Sequence, residues 1–399
     1  MKIDLGFIFQ WGFRPFFILS GLSAIGLLAY WLLVLKGIAF TPETISLSDW
    51  HAHEMIFGFG AAALAGFLLT AIPEWTGATH LQGRGLALYV GLWLFGRLSV
   101  ALIDLLPLFL VGLLNVAFPL ILAWHTLPHL MKESGKRHHI FIPMICLFIG
   151  AQIAVYLGWS GVGEDFELSR RALLGGVYAL IFGIIITSTR ISVVVIRLAL
   201  DEQNDQDSLF RPYPYRRNLA SVTFLFFAAA DIIIPETSIM GWFALAAGAA
   251  LMDRLSDFHV GRVLLKPYVQ FLYVANFWIA LGCLGMGVNA FLELGAATDL
   301  RHFFGVGAIG TAILMVFTIA GLRHSGFNLI VPKRMIAALL CMITATGLRV
   351  LPAIPDNPLP IEASYDGAAC FMILSFILFL SKFIPIFCRD QQKVLSEKH

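Results

Sequence analysis

His51, His53 and Glu54 stand within one turn of each other in the segment DWHAHEMIFGFG (Asp49–Gly60), at the entrance to a long apolar run. Imidazoles ligate haem iron and copper, and a neighbouring carboxylate can carry protons. Such groups are costly where a chain enters lipid, so each needs a partner or a function there. His302 opens a second apolar run, and His324 closes it. On a regular helix, residues two apart point roughly 200° from one another while residues three or four apart share a face. The spacing therefore pairs His51 with Glu54 and turns His53 toward Phe57. One metal shared by His51 and His53 requires an unwound first turn.

The elements that must position these residues are membrane helices. The chain has 399 residues, 59% hydrophobic and 13% charged, with a mean hydropathy of +0.83. That composition excludes a water-soluble globule, and a net charge of +2 gives no footprint for nucleic acid. Apolar stretches near the ~20-residue spanning length recur along it. They predict an all-α bundle of about 12 transmembrane helices in a single domain over residues 1–399. Helices 1–6 fall at about 15–192, a cytoplasmic loop at 193–216 and helices 7–12 at about 217–387. The polar, Pro-containing part of that connection is LDEQNDQDSLFRPYPYRRN (Leu200–Asn218), and no sequence self-similarity relates the halves. No cleavable signal peptide is evident. The five cysteines lie in or beside spans without a C-x-x-C pair and read as packing residues.

Of the 27 Lys and Arg residues, this map puts all but Lys36, Arg97, Arg170, Arg171, Arg301 and Arg349 on the side of the termini. Both termini are therefore expected in the cytoplasm. Spans two and ten then both start at the periplasmic side, which makes His51, His53 and His302 candidates for one site. His324 lies about 33 Å along the helix from His302 at ~1.5 Å per residue, so these two cannot share a metal. His80, His125, His129, His138, His139 and His259 read as interfacial loop histidines.

Arg97 and Arg349 lie at membrane depth toward the periplasmic side, where a guanidinium needs an anion. Glu54, Asp104 and Asp231 are the protein partners on that side, and a haem propionate is the alternative. Gly58, Gly60, Gly66, Gly305, Gly307 and Gly310 give small-residue faces that permit either close helix packing or a flat macrocycle. Asn115, Gln152, Asn276 and Asn289 are expected to hydrogen-bond between helices.

GFRPFF (Gly12–Phe17), WHAHEMIFGF (Trp50–Phe59), GFLLTAIPEWTG (Gly66–Gly77), LWLFGRL (Leu92–Leu98), RHFFGVGAIGTAILMVFTIAGLRHSG (Arg301–Gly326) and LRVL (Leu348–Leu351) together resemble the NnrS family of bacterial membrane proteins. The resemblance is ordered along nearly the whole chain. It implies a twelve-helix inner-membrane protein that binds haem b and copper and acts in the response to nitric oxide. The family's histidines fall on His51, His53, His302 and His324. Where many members have a histidine in span nine this chain has Tyr273, where one often closes span five it has Tyr156, and the G-R-V-I-P segment survives only as TRISV around Arg190. These departures weaken the copper expectation and favour one haem without a second metal site.

The resulting expectation is nitric oxide reduction at a histidine-ligated haem b near the periplasmic face. His302 or His53 is the axial ligand, and His51 a second ligand or part of a neighbouring site. Arg97 and Arg349 hold the cofactor, Glu54 carries protons, and a quinol in the lipid bilayer supplies electrons. The alternatives are a non-catalytic haem protein that binds nitric oxide and a transporter of haem, copper or a small solute.

Overall fold

The computed structural model describes residues 5–162, 167–205, 210 and 213–388, and every element among them is helical. The twelve long helices are α1 Phe13–Leu35, α2 Leu47–Thr76, α3 Gly83–Ala101, α4 Leu108–Leu130, α5 Phe141–Trp159, α6 Glu167–Glu202, α7 Pro214–Ile233, α8 Ser238–Leu255, α9 Pro267–Leu292, α10 Ala297–His324, α11 Lys333–Val350 and α12 Ile361–Phe387. Among the described residues nine are long and apolar enough to cross a membrane. α3, α7 and α8, with 19, 20 and 18 residues, are not among those nine.

Local chemistry sets many of the helix ends. Ser46 caps α2 by accepting from the Asp49 N–H, and Thr237 caps α8 by accepting from the Met240 N–H. Pro214 and Pro267 begin α7 and α9, where the missing N–H costs nothing. Gly77 ends α2 in the left-handed conformation with φ of 71°, which a side chain would oppose.

α6 runs to Glu202, so the loop expected at 193–216 begins about ten residues later. The extension has no Pro or Gly, and Val195, Ile196, Ala199 and Leu200 give it a buried face. Much of the remaining connection, 206–209 and 211–212, lies outside the described residues.

The chain divides into two compact units. Unit 1 comprises Met1–Ala179, Ala320–Asn328 and Phe376–His399, and unit 2 comprises Leu180–Ile319 and Leu329–Ser375. The division falls inside α6 and not at the polar connection. In unit 1, α2 packs on α1 and α4 around buried phenylalanines that include Phe13, Phe16, Phe17, Phe57 and Phe59. In unit 2, α8 lies between α7 and α9, and the start of α10 packs on α9 and α11.

Two helices share an irregularity. α2 widens to a π-helix over Glu54–Gly60, directly after His53, and α10 does so over Phe303–Gly310, directly after His302. Wide turns of this kind loosen the regular backbone ladder and commonly mark functional sites. Here side chains engage the wide turn of α2: the Trp93 indole N–H donates to the Gly58 carbonyl (3.2 Å) and the Ser20 hydroxyl to the Phe59 carbonyl (3.1 Å).

Candidate functional site

At the first turns of α2, one polar cluster is sealed inside unit 1. His53 is fully buried and Glu54 is 4% exposed. His53 Nδ1 lies 3.0 Å from Glu54 Oε1, and His53 Nε2 lies 3.0 Å from the Tyr156 hydroxyl on α5. An ionised carboxylate only accepts, so Nδ1 carries the proton, and a neutral ring then accepts the Tyr156 O–H at Nε2. The rings of Phe57, Tyr156 and Trp159 surround the imidazole at 5.2 to 5.4 Å. The Trp159 indole N–H donates to buried Asp49 at 3.3 Å.

The same Glu54 oxygen is held by Arg97 of α3, whose Nη1 donates to Oε1 and whose Nη2 donates to Asn115 Oδ1 of α4. Asn115 is itself fixed, because its amide donates to the Val111 carbonyl at 2.8 Å and to Ser99 Oγ at 3.1 Å. A Cβ on Gly58 would come 2.8 Å from Arg97 Nη1 and 3.3 Å from Glu54 Oε2. Glycine is therefore required for the guanidinium to reach the carboxylate. Its role is access for Arg97, and the small-residue face expected for a flat ring is filled at this point by protein.

Glu54 thus bonds to His53 and not to His51 as the regular-helix spacing predicts. The backbone keeps α-helical angles through His53 and Glu54, so the pairing follows from where the Glu54 side chain turns, to His53 and to Arg97. His51 instead stacks on Trp31 with ring centres 4.1 Å apart, and His53 does face Phe57.

Unit 2 holds the other group of expected site residues. His302 is half-buried, and its Nδ1 lies 2.9 Å from the Thr298 carbonyl oxygen. A carbonyl only accepts, so the proton sits on Nδ1 and the lone pair on Nε2. Asp299, one turn earlier, accepts from Arg349 Nη1 of α11 and from the Tyr365 hydroxyl of α12 (2.8 Å). Arg349 also lies over the Tyr365 ring, 4.0 Å from its centre. Its acid is Asp299, which was not among the partners expected for it. Asp231 pairs with Arg301 at 3.0 Å, and Asp104 accepts the backbone N–H groups of Glu43 and Thr44. A Cβ on Gly305, three residues after His302, would meet no atom within 4 Å, whereas one on Gly307 would strike Trp278 and Thr346.

His324 stands at the far end of the continuous α10, beside Trp11 and Phe13 in unit 1. The His80 ring lies tilted against the same Trp11, with ring centres 4.1 Å apart, and 3.7 Å from Glu74. Of the in-span amides, Asn115 bonds across to α3 as expected, while Asn289 accepts from the Ala296 N–H in the connection that follows its own helix. Gln152 Oε1 and Asn276 Oδ1 are buried without a hydrogen-bond partner among the described residues.

Sequence reasoning did not find Tyr156, Trp159, Asp49, Asp299 or Tyr365 as members of these clusters. Tyr156 was visible only as a replacement for histidine, and Asp299 lies three residues from His302 in the right register to have been considered.

The two groups differ in their fitness for a metal or haem. His53 has both ring nitrogens engaged by protein side chains and no exposed surface, so it does not fit an axial or copper ligand as placed. Among the described residues, no three His, Cys, Asp or Glu side chains converge as a metal cage. His302 fits: a backbone carbonyl fixes its tautomer, the usual arrangement behind a metal-bound imidazole, and Gly305 leaves open space one turn on.

A family model described as NnrS protein matches residues 7–391. No curated protein sequence matches the chain.

Proposed function

The chain belongs to the NnrS family, and on that premise we propose that it is a haem-binding protein of the bacterial inner membrane that reduces nitric oxide. In this reading His302 is an axial ligand of haem b near the periplasmic face. All twelve long helices cross the membrane, with both termini in the cytoplasm, because that arrangement gathers most of the basic residues inside. The observation that carries the reading is the His302 Nδ1 contact to the Thr298 carbonyl, which fixes the tautomer of the ring in the way a second partner does behind a metal-bound imidazole. Arg349, within the group around Asp299, is the cation available to a carboxylate of the cofactor.

Haem, when bound, would supply an iron able to bind nitric oxide. Joining two molecules of nitric oxide as nitrous oxide and water consumes two electrons and two protons, and a membrane quinol is the class of electron donor. This chain's own part is to hold protons in a dry site. Tyr156 O–H, the His53 ring and Glu54 form one unbroken hydrogen-bonded row. A proton arriving at His53 Nε2 releases the one on Nδ1 to Glu54, without either heavy atom moving far. No step is assigned to copper, because the residues present do not fit it.

A specific observation also favours the non-catalytic reading. Glu54 is bound by Arg97, and a carboxylate closed in such a pair has no proton to give until the pair opens. Nitric oxide consumption by purified protein supplied with a quinol separates the two. Glu54→Gln should slow turnover and leave haem content intact if Glu54 carries protons. Full activity in Glu54→Gln removes it from the path, and a ferrous nitrosyl complex that never turns over replaces the reductase with a binding protein.

A further inference from the structure

A second polar site lies in unit 2, away from both histidine groups in the chain. Arg254 of α8 is 4% exposed. Its Nη2 donates to the Ile185 carbonyl (3.1 Å) and to Thr189 Oγ1 (2.6 Å), while its buried Nη1 has no hydrogen-bond partner among the described residues. Buried guanidinium N–H groups are normally satisfied, so an orphan of this kind points to a missing acceptor.

Arg254 lines a small cleft together with Thr189, Ser192, Tyr213, Arg217 and Asp257. Arg217 is exposed at its mouth and close enough to act by charge on both Arg254 and Arg190. Three arginines gathered this way outnumber the one carboxylate in the cleft, which favours an added anion. Of the acids nearby, Asp257 lines the cleft and acts by charge on Arg254, while Arg216 bridges it (3.4 Å) to Asp253 (3.0 Å). The N-terminus of the 20-residue α7 opens beside the cleft at Tyr213 and Pro214, adding the positive end of a helix dipole. The cleft has a volume of about 50 Å³, room for a few waters at ~10–15 Å³ each. That suits one tetrahedral oxyanion and is too small for a nucleotide.

We propose that this cleft binds a phosphate-class oxyanion, with Arg254 Nη1 and Arg217 as its principal donors. The phosphate is either inorganic phosphate or the headgroup of an anionic phospholipid, and the test distinguishes them. Thermal unfolding of the full chain in detergent is followed in sodium phosphate and in sodium chloride at matched ionic strength. In parallel, delipidated protein is given phosphatidylglycerol or phosphatidylcholine and examined by native mass spectrometry. Wild type, Arg217→Gln and Arg254→Lys are compared. A saturable rise of the unfolding midpoint in phosphate, with half-saturation raised about tenfold in Arg217→Gln, identifies the free anion. Retention of phosphatidylglycerol over phosphatidylcholine, lost in Arg217→Gln, identifies the headgroup. If Arg254→Lys does not fold, the exposed Arg217→Gln alone decides. The proposal is overturned if neither phosphate nor phosphatidylglycerol distinguishes wild type from Arg217→Gln.

Discussion

α2 and α10 carry the same device to different ends. Each places a histidine directly before a π-helical stretch, an acid beside that histidine, and an arginine from the next long helix on that acid. A tyrosine completes each group: Tyr156 on His53 in one, Tyr365 on Asp299 in the other. In α2 the acid follows the histidine, bonds its Nδ1 and is sealed from solvent. In α10 the acid precedes it, and the imidazole turns to a backbone carbonyl instead. The first arrangement spends both imidazole nitrogens on protein and is suited to holding protons. The second turns Nδ1 to a backbone carbonyl, which fixes the tautomer of the ring. Burial and the order of two residues thus separate two uses of one motif.

The largest effect that would break this contrast is at the arginines. Arg97→Ala leaves Glu54 buried without its cation, and about 3–5 kcal/mol of stability should be lost. Arg349→Ala removes an arginine as buried as Arg97, but the acid it leaves is 18% exposed against 5% for Glu54, so a smaller cost is expected. Denaturation midpoints in detergent should rank them so, and Arg97→Ala combined with Glu54→Gln should recover part of the first loss. Equal costs would mean that the two pairs are equivalent.

The glycines come next. Gly58→Ala drives a Cβ against Arg97 and should cost about 1–3 kcal/mol, whereas Gly305→Ala enters open space and should change stability by less than about 0.5 kcal/mol. The same thermal measurement reads both. Removing hydroxyls sharpens the comparison further. Tyr156→Phe leaves buried His53 Nε2 without its donor and should cost about 1–3 kcal/mol. Tyr365→Phe should cost less, since Asp299 retains Arg349.

The smallest effect belongs to neither histidine group. Asp104, in the loop before α4, accepts from the Thr44 hydroxyl (2.7 Å) and from the N–H groups of Thr44 and Glu43, and these bonds hold its carboxyl below the usual range. A depressed carboxyl contributes stability above its unfolded pKa of about 3.9, and that contribution fades as pH falls through the lower folded value. Thr44→Val should flatten the acid limb of an unfolding profile slightly and leave neutral pH nearly unchanged.

Much of this was legible in the residues. Composition alone points to a helical membrane protein, and nine of the twelve expected spans fall on helices long and apolar enough to cross a membrane among the described residues. WHAHE and RHFF flagged both sites, because histidine and carboxylate at the mouth of an apolar run have few neutral explanations. The pairing within them was not legible. Spacing on an ideal helix lets Glu54 act with His51, whereas its side chain turns to His53 and Arg97. The likeness of α2 and α10 was hidden too, since little more than a histidine, glycine spacing and a distant arginine is shared between them. Arg254 was read only as a charge for topology, and its orphan N–H shows only once Ile185 and Thr189 are folded against it.

The central claim is that His302 ligates haem while His53 does not. Haem content and the oxidised, reduced and nitric oxide-treated visible spectra of His302→Ala, set beside His53→Gln, test it directly after haem-replete expression. Loss of the haem signal in His302→Ala with a normal nitrosyl spectrum in His53→Gln is the predicted result. Haem retained without His302 and lost without His53 would contradict it.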